Sequence, residues 1–97
     1  MDSKSMLVYE GDYSIRLEYN RDYVIVHLPN VNRFTKEVLI DMKKRLSNWL
    51  DFFSNLGYNG IWAAVDPDDV KINKLLKKLN FEIEGRSYGY RVYRFGG

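Results

Sequence analysis

Apolar and polar residues alternate along residues 14–19 (SIRLEY), with Ile15, Leu17 and Tyr19 on one side and Arg16 and Glu18 on the other. A period of two is that of a half-exposed strand. Residues 6–9 (MLVY) begin an earlier strand, and Glu10-Gly11-Asp12 reads as the turn after it. Asn20-Arg21-Asp22 is a short polar break, so the next strand should return antiparallel. That strand, residues 23–28 (YVIVHL), is apolar at nearly every position, as expected of a central strand covered on both faces, and Pro29 ends it. From about residue 35 to 56 the period changes. Leu39, Met42, Leu46, Trp49, Phe53 and Leu56 recur at three and four, with Val38 and Leu50 widening the stripe, which predicts a long amphipathic helix.

Residues 61–65 (IWAAV) form a second continuous apolar strand. Two such strands around a helix predict a parallel, right-handed βαβ unit. Asp66-Pro67-Asp68-Asp69 then opens a shorter helix over residues 70–79, with Ile72, Leu75, Leu76 and Leu79 inward and Lys71, Lys74, Lys77 and Lys78 outward. One Asp caps that helix and the others favour its positive end. Both helices carry stop signals. Gly57 and Asn80 are residue types that tolerate the left-handed conformation just past a helix end, and Tyr58 can pack back onto the last turn of the first helix. Residues 81–84 and 90–95 alternate again, giving a closing antiparallel hairpin in which Tyr90, Val92 and Arg94 face one way and Arg91, Tyr93 and Phe95 the other. The predicted order is β-β-β-α-β-α-β-β. This is an α/β (α+β) fold with a mixed, mostly antiparallel sheet and two helices.

This order, together with IWAAVDPDDVKINKLLKKLNFEIEG and the closing RVYRF, resembles the C-terminal two-thirds of the GNAT acyltransferase fold, over residues 6–95. It is also similar to short GNAT-like proteins found in bacteriophage genomes. The resemblance implies an acyl-CoA cofactor. In the family its pyrophosphate lies on a Gly-containing loop that opens the long helix, where backbone N–H groups and the helix N-terminus hold it. Here the corresponding residues 29–35 (PNVNRFT) contain no Gly, Val31 and Phe34 are bulky, and Pro29 brings no donor. The position of the family's general-acid Tyr holds Leu76, and that of its Asn near the start of the last helix holds Asp69. The helices that precede the first strands in the family have no counterpart.

Composition narrows the picture further. Ninety-seven residues make one domain, residues 1–97, and with no Cys there is no disulfide, thiolate metal site or Cys nucleophile. No apolar run approaches the ~20 residues of a spanning helix, and the N-terminus lacks the pattern of a signal peptide, so a cytoplasmic protein is expected. The net charge of +2 is too small to argue for nucleic acid, though residues 70–97 hold seven basic residues against two acidic ones.

His27, the single histidine, lies late on the central strand, where the family recruits a base. The plainer reading is a polar residue at a strand end, with no acid partner visible. Arg33 and Lys36, with Asn30, Asn32 and Thr35, could hold a phosphate at the start of the long helix, and Thr35 also fits a simple N-cap. Asp66, Asp68 and Asp69 are too few for a metal ligand set and are explained by capping. Arg86, Tyr88, Tyr90, Arg91, Tyr93 and Arg94 interleave bases with aromatics as single-strand binders do, but their alternation splits them between two faces. The leading expectation is therefore a non-catalytic interaction protein on a degenerate GNAT-like fold, a phage accessory or host-targeting protein. It would use no cofactor, and its partner would be another protein or a second copy. Two alternatives stay open. One is an acyl-CoA-dependent N-acetyltransferase using acetyl-CoA, with Asn32, Arg33, Thr35 and Lys36 at the phosphates and His27 as base. The other is a small nucleic-acid-binding protein.

Overall fold

The computed structural model describes residues 3–29, 31 and 35–96. Its elements are β1 (Lys4–Glu10), β2 (Ser14–Tyr19), β3 (Val24–His27), α1 (Lys36–Asn55), β4 (Ile61–Val65), α2 (Val70–Lys78), β5 (Glu82–Ser87) and β6 (Tyr90–Phe95). The order is the one the hydrophobic pattern predicts. Six strands form one sheet in the order β1-β2-β3-β4-β6-β5, with β3·β4 its parallel pair and the other pairs antiparallel.

Both helices stop as their last residues dictate. At the end of α1 the Gly57 N–H donates to the Ser54 carbonyl and the Tyr58 N–H to the Phe53 carbonyl. At the end of α2 the Asn80 N–H donates to Lys77 and the Phe81 N–H to Leu76. These are two Schellman motifs, and each needs a left-handed residue, supplied by Gly57 at φ 98° and Asn80 at φ 69°. The Tyr58 ring packs on Phe53, as expected, at 5.4 Å between centroids. Thr35 caps α1 by accepting the Val38 N–H, and Asp69 caps α2 by accepting the Ile72 N–H. Asp66 serves the turn before α2 instead, accepting the Asp68 N–H.

The strand registers sort every side chain to one face or the other. Leu17 opposite Val26, Ile61 opposite Phe95 and Ala63 opposite Tyr93 lie on one face, and all six are buried. This face meets both helices. Phe53 of α1 packs on Tyr19, and Asn73 of α2 receives the hydroxyl of Tyr93. The crossovers β3-α1-β4 and β4-α2-β5 step the same way along the sheet. One handedness for both therefore places both helices on the same side. Met42, Leu46, Leu75, Leu76 and Leu79 close a single core beneath them.

Three expectations are corrected. Leu56, placed in the core stripe of α1, is its C-cap and 62% exposed. In α2, Asn73 is buried while Ile72 is only partly so. Most important, β3 and β4 are not covered on both faces, because among the described residues the second sheet face carries no helix.

Candidate functional site

The second face is built from the remaining strand positions. Glu18 lies opposite Ile25, Arg16 opposite His27, Ile25 beside Trp62, Trp62 opposite Arg94 and Ala64 opposite Val92. On the β1 side, Leu7 faces Arg16 and Ser5 faces Glu18. The face therefore has an apolar strip over β3, β4 and β6 and a polar patch over β1, β2 and the end of β3.

The strip centres on Trp62. Tyr23 meets it edge-on at 6.2 Å between centroids, and the Arg94 guanidinium lies 5.5 Å from its ring centroid. Arg94 is in turn paired with Glu84, Nε to Oε1 at 2.8 Å. Trp62 and Ile25 are thus half-buried by neighbours on the same face rather than by a second layer. At the β5–β6 tip Tyr88 is fully exposed at φ 51°, followed by Gly89 at φ 82°, the two positive angles of a type I′ turn.

In the polar patch His27 has an acid partner after all. Its Nε2 lies 3.0 Å from Oε1 of Glu18, while the Ser3 hydroxyl donates to Oε2 at 2.8 Å. The Ser3 hydroxyl first, and His27 second, hold the Glu18 carboxyl below its ordinary range. The pair is a diagonal cross-strand contact. Its signal in the sequence is the turn at residues 20–22. The Asn20 side chain accepts the N–H groups of Asp22 and Tyr23, fixing the register that sets Tyr19 opposite Val24.

Beyond the Ile25–Trp62 pair β3 and β4 separate, and a cleft of about 280 Å³ opens between their C-terminal ends. Val26, Leu28, Ala63, Val65 and Leu76 make its lining mostly apolar, with His27 at one side. An adjoining hollow at Leu28 and Pro29 includes Asp69 and Lys71. Asn32 and Arg33 lie outside the described residues, as does Asn30. The Thr35 hydroxyl is engaged as the cap of α1, and neither Thr35 nor Lys36 lines the cleft or the adjoining hollow. Val31 pairs with Tyr13 in an antiparallel bridge.

Among the described residues no group of three His, Asp or Glu side chains is placed to hold a metal ion. The interleaved Arg and Tyr residues of β6 divide as their alternation predicts. Arg91 and Tyr93 turn inward to Asn73, and Arg94 joins the bare face. No helix is long and apolar enough to cross a membrane among the described residues. No family model, no curated protein and no solved structure matches the chain.

Proposed function

We propose that this chain is a non-catalytic protein-interaction module on a GNAT-like fold, and that it binds its partner through the bare sheet face. The observation that carries this reading is the strip of Tyr23, Ile25, Trp62 and Val92, bordered by the Arg94–Glu84 and Glu18–His27 pairs. Trp, Tyr and Arg are the residue types that anchor interfaces, and a rim of paired charges supplies orientation. The broad side of the molecule, 35 by 28 Å, accommodates the ~800 Å² that each partner of a standard interface buries. Strand addition at the sheet edges is the weaker route. Both outer pairs are irregular, between Leu7 and Tyr9 in β1 and between Ile83 and Gly85 in β5, and such bulges blunt an edge. The element order and the opening between β3 and β4 support the fold reading.

The test is affinity capture with three baits: the natural chain, Trp62→Ala, and Lys44→Glu on the exposed side of α1. The reading expects a defined protein held by the natural chain and by Lys44→Glu and lost from Trp62→Ala. A protein held equally by all three refutes it.

The cleft between β3 and β4 supports a second reading, acyl transfer, with His27 steadied by Glu18 as the base and the β3 backbone along the pantetheine arm. A thermal melt with millimolar acetyl-CoA separates the two. At a hundredfold excess over the dissociation constant, binding adds about 2.7 kcal/mol, a shift of roughly 10 °C or more in a domain of this size. The interaction module shows no shift. A clear shift moves the reading to acyl transfer, with His27→Gln as the first variant.

A further inference from the structure

A second concavity lies on the same sheet face, away from the Trp62 strip. It encloses about 490 Å³, within the range of small-molecule sites, and is lined by Ser3, Ser5, Arg16, Glu18, His27 and Pro29. We infer that it is a binding site for a small organic carboxylate, with Arg16 as its principal ligand. The inference does not rest on the interaction reading above, although the Glu18–His27 pair borders both surfaces.

Three features carry it. Glu18 is the one carboxylate among the described lining residues, and both of its oxygens are already engaged, by the Ser3 hydroxyl and by His27 Nε2. Arg16, two residues before Glu18 on the same face, is left with no hydrogen bond or ion pair among the described residues. Arg16 lines the hollow, and the planar donor set of a guanidinium is the geometry that receives a carboxylate through two parallel bonds.

The strand register adds the second feature. Arg16 stands directly opposite His27. On its other side Arg16 faces Leu7, so no carboxylate directly opposite it competes for its guanidinium. Ser5, opposite Glu18 on the β1 side, supplies a hydroxyl donor at the rim.

The third feature selects the class of anion. Among the described lining residues the Glu18 carboxylate already places a negative charge at the site, which disfavours a highly charged anion. That balance matches a monoanionic carboxylate. A phosphate dianion would gain little from it and would meet the Glu18 carboxylate at close range.

The experiment is a titration of the uniformly ¹⁵N-labelled full chain with acetate, propionate and inorganic phosphate, each matched in ionic strength by sodium chloride. The expected result is saturable shifts of the Ser5, Arg16 and His27 amides with the carboxylates, weakened by about tenfold or more in Arg16→Gln. Arg16→Lys, which keeps the charge but loses the fork, should recover part of the affinity, and Lys44→Gln should match the natural chain. Arg16 is exposed, so these variants are expected to fold, and a thermal melt of each checks it. Shifts that follow ionic strength whatever the anion, or that persist in Arg16→Gln, overturn the site. Phosphate binding as tightly as acetate overturns the assignment to carboxylates.

Discussion

Replacing Asn73 by alanine removes the side chain that joins α2 to β6 inside the fold. Asn73 fills its whole hydrogen-bonding capacity. Its amide N–H₂ donates to the carbonyls of Asp66 at 3.0 Å and Asp69 at 2.7 Å, and its oxygen accepts from the Tyr93 hydroxyl at 2.6 Å and from Arg91 Nη1 at 3.1 Å. The four partners do not suffer equally in Asn73→Ala. The two carbonyls keep backbone donors, from Asp69 N–H and Asn73 N–H. Arg91 is half-exposed and can reach water. Tyr93 is fully buried, so its hydroxyl is stranded. An unsatisfied buried hydroxyl costs about 1–3 kcal/mol, and with the lost bonds the variant should be destabilised by roughly 2–3 kcal/mol. In a domain of this size that lowers the melting temperature by about 10–20 °C. The informative comparison is Asn73→Ala with Tyr93→Phe. Tyr93→Phe alone should cost about 1 kcal/mol, since Asn73 keeps Arg91 as donor. In the double variant nothing is stranded, so it should be more stable than Asn73→Ala by itself. Any cavity left by Asn73 is common to both backgrounds and cancels in the cycle. Guanidinium unfolding with an unchanged slope is the assay. Additivity to within about 0.5 kcal/mol would refute the stranded-hydroxyl argument.

Two further predictions test the ends of the same chain of reasoning. Asn80→Gly should leave stability unchanged to within about 0.5 kcal/mol, whereas Asn80→Val, forced into the left-handed region at φ 69°, should cost about 1–2 kcal/mol in the same unfolding assay. In the second, the Tyr13 hydroxyl, and then Arg45, hold the Asp41 carboxyl below its ordinary value of 3.8. A folded value below the unfolded one means stability that is present at neutral pH and lost as pH falls from just above 3.8 through the folded value. Asp41→Asn should therefore melt lower than the natural chain at pH 7 and converge with it in strong acid. Parallel melting curves across that range would show that Asp41 contributes nothing through its charge.

Much of the fold was legible because its signals are local. The period of two in SIRLEY, the stripe from Val38 to Phe53, and the stops at Gly57 and Asn80 each report on a few adjacent residues, and all appear as expected. What escaped were facts that join residues far apart. Asn73 breaks the apolar stripe of α2, and nothing near it announces that Arg91 and Tyr93, 18 and 20 residues on, will take up its oxygen. The Glu18–His27 pair was within reach, since the turn at Asn20 sets the register that makes them diagonal neighbours. The free guanidinium of Arg16 was not, because it depends on both Glu18 oxygens being occupied. Thr35 caps α1, a role that was also legible in the sequence.

The misjudged cover of β3 and β4 has a physical cause that bears on function. A continuous apolar run does not distinguish a strand beneath a second layer from one whose residues are shielded sideways. Here the shielding is lateral: Tyr23 and Arg94 lie against Trp62, and Arg94 is tied to Glu84. The topology makes this necessary. Two crossovers that step the same way and share one hand must put both helices on one side, leaving the other side to the strands' own side chains. A bare face of aliphatic and aromatic residues alone would be a site for indiscriminate association. Interspersing Arg16, Glu18, His27 and Arg94 changes what such a face selects. A partner covering Trp62 must also accommodate the Arg94–Glu84 pair, because desolvating a charge pair without compensation costs more than burying the ring gains. On the proposed interaction reading, Trp62 would supply adhesion and the charged neighbours discrimination, a division of labour suited to a surface that recognises one defined partner.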